Sequence, residues 1–174
     1  MPTTPPTNPA QGDLTLLDTP EAQDLLARAI PARMAYITRG GEPRIVPTWF
    51  HWTGEELVMP TWRRGPHIQH PARRLRDLAE RPQVAVSIDT EDQPPAVLQI
   101  RGRATIDEVD GLAEEYRWCA VRYLGEEAGG EFLAQFDGAP VGMARIAIRP
   151  AWVGLLDFQA RLPSPLGGVG AGAR

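Results

Sequence analysis

From Arg33 to Ile106 the chain alternates short apolar runs with polar breakers. This period of two predicts antiparallel strands near 33–39, 43–51, 56–60, 83–89 and 95–106. Gly40-Gly41 and Thr53-Gly54 separate successive runs, where glycine accepts the positive backbone dihedral of a tight hairpin turn. On either side the period lengthens toward 3.6. Asp18-Thr19-Pro20-Glu21 reads as a helix start, with Thr19 as the cap, Pro20 in the first turn and acid near the positive helix end. That helix runs to about Ala29, with Leu25, Leu26 and Ile30 inward. A short helix over 71–80 opens at Pro71 and closes before Pro82. Helical spacing returns over 109–124, ended by Gly125, and again over 127–136, and two last strands are predicted near 141–149 and 151–158. The class is mainly β (α+β): a six- or seven-stranded antiparallel barrel flanked by helices.

Residues 1–12 hold four prolines and little to bury, which predicts a disordered arm, and 159–174, rich in Gly, Ala and Pro, a flexible tail. One domain over 13–158 remains, in a chain whose 174 residues suffice to bury about 70% of the unfolded surface. The net charge of −4 argues against the broad basic footprint of a nucleic-acid binder and for a small-molecule partner. All 18 cationic side chains are Arg. No lysine base or Schiff base is therefore available, and any cationic grip on a phosphate uses guanidinium, which binds oxyanions bidentately. The single Cys119 excludes an intramolecular disulfide and a multi-cysteine metal site and fits a reducing cytoplasm. With no basic-then-apolar leader and no apolar run near ~18 residues, neither export nor membrane insertion is expected.

The candidate chemistry is anion binding. Arg73 and Arg74 open the helix at 71–80, where free N–H groups and the helix dipole add to their charge. Arg44 shares a strand face with Val46, while Ile45 and Pro47 face the other way, and a cation on the inward side of a strand calls for a partner. Thr61 ends the third strand with a hydroxyl that can donate to a phosphate oxygen. Trp49, Trp52 and Trp62 are read as core or interface rather than as a cofactor platform. His51, His67 and His70 lack ligand spacing, so no metal site is expected. A serine nucleophile elbow, a dinucleotide fingerprint and a phosphate loop are all missing, which moves any reactivity to a bound cofactor.

Four fragments in order resemble the pyridoxamine 5′-phosphate oxidase-like, flavin-binding split-barrel superfamily. They are Gly41-Glu42-Pro43-Arg44-Ile45-Val46-Pro47-Thr48-Trp49-Phe50, Arg73-Arg74-Leu75-Arg76-Asp77-Leu78 with Pro82 and Val84, Gly102-Arg103-Ala104, and Arg149-Pro150 with Val153 and Asp157. The resemblance implies a split barrel that forms a homodimer, binds FMN or the 8-hydroxy-5-deazaflavin coenzyme at the subunit interface, and passes a hydride to or from a small organic substrate. It places Arg74 beside the phosphate where the family has lysine, with Arg73, Arg44 and Thr61 as companions. Backbone groups of Val46, Pro47 and Thr48 then border the ring. The loop from Thr61 to Pro71, with Arg63, Arg64, His67 and His70, is longer than in short members; it suits either an anionic coenzyme tail or a plain surface loop. Asp77 and Leu156 depart from the common Asn and Trp. Residues for the substrate phosphate of pyridoxamine phosphate are not found near the C-terminus. The alternative is a non-catalytic barrel that binds or senses flavin or haem.

Overall fold

The computed structural model describes residues 9–158, so most of the expected arm and all of the expected tail, 1–8 and 159–174, lie outside the described residues. A 3-10 turn at Leu14–Asp18 leads into α1 (Pro20–Ala27), where Thr19 caps the first turn by accepting the Ala22 N–H. The strands are β1 (Ala32–Ile37), β2 (Pro43–Thr48), β3 (His51–Trp52), β4 (Leu57–Arg64), β5 (Gln83–Asp89), β6 (Ala96–Asp110) and β7 (Gly142–Asp157). Helix α2 (Arg74–Glu80) follows β4, and α3 (Glu114–Leu124) and α4 (Glu126–Ala134) join β6 to β7.

All seven strands belong to one antiparallel sheet in the order β2-β1-β5-β6-β7-β4-β3. One face of β1, β4, β5, β6 and β7 feeds a single core that holds Met34, Met59, Val86, Ile100, Ile146 and Leu155. The sheet therefore curls around that core, but its end strands β2 and β3 do not pair, and the barrel stays split. Helix α1 adds Leu25 and Leu26, and α2 adds Leu78. On the opposite face, α3 and α4 cover a second cluster built on Ala113, Tyr116 and Met143.

Several boundaries differ from the sequence reading, and α2, expected to open at Pro71, begins at Arg74. The two expected last strands are one strand, because Pro150 is carried through by an irregularity: Gly102 faces Pro150, and the register shifts between Arg101 and Gly102. A Cβ on Gly102 would collide with the carbonyl oxygen of Arg149, so glycine is required by close backbone approach. The helix expected from 109 begins at Glu114, since 107–110 extend β6 against Gly142–Arg145, with Asp107 opposite Arg145. Finally, β4 runs through Trp62 to Arg64, past a bulge, while β2 stops at Thr48. Gln11 and Gly12, at the inner end of the expected arm, are held to β7. The Gly12 N–H donates to Val153 O at 2.7 Å, and the Gln11 amide both donates to Leu155 O and accepts from Leu155 N–H. They occupy the edge of β7 that β4 leaves free beyond Ile148.

Candidate functional site

Directly opposed residues of an antiparallel pair stand on one face, so the register places the candidate residues. Tyr36 opposes Arg44, and Met34 opposes Val46. Since Met34 and Tyr36 are buried in the core, Arg44 and Val46 share the inward face, and Val46 packs on that core. Across the sheet, Thr61 opposes Ala144, which opposes Glu108 in turn, two residues beyond the core positions Met59, Ile146 and Ile106. The inward face thus turns polar at one end, where α2 lies across it.

Helix α2 is anchored there by Leu75 and Leu78 and by Asp77, which accepts the Arg39 N–H at 3.1 Å. The Asp that departs from the family's Asn therefore ties α2 to the end of β1. Arg74 points inward, and its Nη2 donates to Thr61 Oγ1 at 2.9 Å. Thr61 is 2% exposed, and with its oxygen accepting from Arg74 the hydroxyl keeps its own proton to donate. The Nε of Arg74 is buried without a partner. Burial pulls the Arg74 guanidinium down from its ordinary pKa, and the nearby Tyr36 phenol partly opposes this. Arginine nevertheless stays charged, so a cation is held at the barrel end with no carboxylate against it.

Arg73 does not join Arg74. It is exposed and lines a separate cleft of about 580 Å³ with Arg63, His70, Pro71, Arg76 and Glu108. Arg63 is neutralised there by Glu108 at 2.7 Å, whereas Arg73 and Arg76 have no ion pair among the described residues. Arg44 is exposed and likewise has no ion pair among the described residues. The single cluster expected from sequence is therefore two neighbouring ones: Thr61 and Arg74 inside, with Arg44 across Tyr36 from them, and Arg73 outside with Arg63 and Arg76. Because α2 has seven residues and starts at Arg74 itself, the side chains carry this arrangement. Val46, Pro47 and Thr48 lie on β2, an edge strand whose outward backbone groups have no strand partner. The Thr48 hydroxyl turns to Trp49 O at 3.3 Å.

The tryptophans follow the packing expectation. Trp49 stacks on Tyr123 with ring centroids 5.0 Å apart, and Trp62 donates to the Tyr116 hydroxyl at 3.2 Å under α3 and α4. His51 stacks on Trp118, and His67 meets Trp62 edge-on. No group of three or more His, Cys, Asp or Glu side chains able to hold a metal occurs among the described residues. Cys119 is buried, and burial pushes its thiol up to about 12, so it is inert as a nucleophile. Two residues of this region escaped the sequence reading: Tyr36 occupies an ordinary core slot in the alternation, and Glu108 falls between the strand read to 106 and the helix read from 109.

Strand order and flanking helices define a mainly β protein with a split barrel. Residues 18–156 match the model of the family described as pyridoxamine 5′-phosphate oxidase, and the chain belongs to that family. Among solved structures it is similar to one named F420 reductase, at 21% identity and a TM-score of 0.53 over 76% of this chain and 94% of that one. It is also similar to a conserved hypothetical protein from Mycobacterium tuberculosis, at 14% identity and a TM-score of 0.59 over 87% and 89% of the two chains. General stress protein 26 from Bacillus anthracis gives 14% and 0.53, over 83% and 95%. At these identities the likeness is one of fold. No curated protein sequence matches the chain.

Proposed function

We propose that the protein is an oxidoreductase that holds the phosphate of FMN or of the 8-hydroxy-5-deazaflavin coenzyme at Thr61 and Arg74 and serves hydride transfer with a small organic substrate. The observation that carries this reading is Arg74, a guanidinium turned inward with a buried, unpartnered Nε and no carboxylate against it. An anion beside it would offset the cost of burying that charge, and the Thr61 hydroxyl, already accepting from Arg74, is polarised to donate. Arg44 adds a second unpaired cation on the same face. A flavin-type ring, when bound, supplies the hydride chemistry, which no side chain of this chain can provide. The protein's part is to orient and to set the local field: Arg74 and Arg44 fix the anionic end, and the free backbone edge of Val46, Pro47 and Thr48 borders the ring. Arg73 and Arg76 offer further cations outside the inner site, with no ion pair among the described residues. This supports the deazaflavin coenzyme, whose tail carries additional anionic groups.

The reading includes a homodimer in the cytoplasm. The outer face of β1, β2 and β5 carries Ile45, 71% exposed, beside Arg33, Ala35, Ala85 and Ser87, and no helix packs on it among the described residues. Such a face suits a second copy. Mass analysis of whatever is released on denaturing the protein from its native host tests the assignment. FMN or a deazaflavin is the expected result; haem, with a Soret band that depends on His51, His67 or His70, would replace this reading with the haem-binding one. Arg74→Gln should weaken the phosphorylated coenzyme by roughly 1.5–3 kcal/mol, the value of a hydrogen bond to a charged group, as read by fluorescence titration.

A further inference from the structure

Tyr36 stands on the inward face of β1, the face it shares with Arg44. Its ring is part of the core and the residue is 8% exposed. Its strand register sets it directly opposite Arg44 on one side and opposite Val84 on the other. Helix α2, which carries Arg74, packs on β1, the strand that carries Tyr36. The hydroxyl makes no hydrogen bond with any described residue, yet its oxygen is not sealed from solvent, since among the described residues the buried unpartnered side-chain polar atoms are the Nε atoms of Arg74 and Arg122. A phenylalanine would fill the same core slot equally well. What the tyrosine adds is one hydroxyl donor on the inward face, from a strand residue opposite Arg44 and on the strand against which α2 packs.

We propose that Tyr36 is a further binding residue of the site: its hydroxyl donates to the same phosphate that Thr61 and Arg74 hold, from the β1 side. The inference rests on the coenzyme reading above and assigns a third wall to the anion site. With guanidinium from α2, a hydroxyl from β4 and a phenol from β1, three separate elements converge on one group. Each is rigid: β1 and β4 are sheet strands, and the Tyr36 ring is locked by core packing, so little side-chain freedom is lost on binding.

The test compares wild type, Tyr36→Phe and Arg74→Gln by equilibrium titration with each ring in two forms. FMN is set against riboflavin, and the deazaflavin coenzyme against its phosphate-free ring precursor. Tyr36→Phe keeps the ring and its packing, and affinity for the phosphate-free forms reports an intact site. The expected result is that Tyr36→Phe weakens the phosphorylated form by about tenfold or more, the range for a hydrogen bond to a charged group, and leaves the phosphate-free form unchanged. If Arg74→Gln loses the preference for the phosphorylated form while Tyr36→Phe retains it in full, the role of Tyr36 is refuted and the coenzyme reading stands. Equal weakening of both forms by Tyr36→Phe would make it a packing residue and refute the proposal as well. If wild type prefers neither phosphorylated form, the coenzyme reading itself falls, and this inference with it.

Discussion

Arg73 and Arg74 are neighbours in sequence that do different things, and the difference is set by one helical step. Arg74 falls on the side of α2 that faces Thr61, and Arg73 on the side that faces Arg63 and Arg76. Residue type and rough location were legible in the sequence, as was the shared face of Arg44 and Val46, because strand alternation dictates it. Tyr36 was not, because a tyrosine at a core position looks the same whether its hydroxyl is idle or placed at a site. Gly102 was legible as a motif letter, but its reason is the Arg149 carbonyl across the strand pair. Gly102→Ala should therefore destabilise the fold by about 3 kcal/mol through overpacking against backbone, checked by chemical denaturation. His51 offers a second check. Burial first, and then the Arg122 guanidinium, hold its pKa below the ordinary 6.5, so the unfolded chain takes up the proton more readily than the folded one. Stability contributed by neutral His51 is complete above 6.5 and is lost as pH falls through the lower folded value. In His51→Gln the thermal midpoint should vary less as pH falls below 6.5 than in wild type.

At the scale of elements, strands and helices were predicted in the right order, and the errors have physical causes. Pro150 signals a break in isolation, yet a bulge opposite Gly102 carries β7 past it. Helical spacing is read from 109, but cross-strand pairing of Asp107 with Arg145 and the bridge from Arg63 to Glu108 stabilise 107–110 as strand. These are long-range partners that local periodicity does not register. The helix that does follow is pinned to β7 by Glu115. Burial works against its charge, but the Nε and Nη2 of Arg145 at 2.8 and 2.7 Å prevail and hold the Glu115 carboxyl below its ordinary value of 4.5. The stabilisation is present above 4.5 and is lost as pH falls through the lower folded value. Glu115→Gln should cost about 1.5–3 kcal/mol at neutral pH, measured by denaturant titration, and the gap from wild type should narrow in acid.

For the whole molecule, the split in the barrel is what would open the proposed site. A closed barrel would pair β2 on both sides, whereas here its outward edge stays free beside an inward face that ends in Tyr36, Thr61 and Arg74. In the proposed homodimer, the outer face with Ile45 receives the second copy. Ile45→Glu should shift the protein from dimer to monomer in sedimentation experiments, while wild type sediments as a dimer. The central claim, that the inward-turned guanidinium of Arg74 receives a coenzyme phosphate, is tested most directly by an experimental structure of the protein with FMN or the deazaflavin coenzyme bound. The account predicts phosphate oxygens within hydrogen-bond distance of Arg74 and Thr61 Oγ1 and the ring along Val46–Thr48. A phosphate bound elsewhere, with Arg74 Nε still unpartnered, would contradict it.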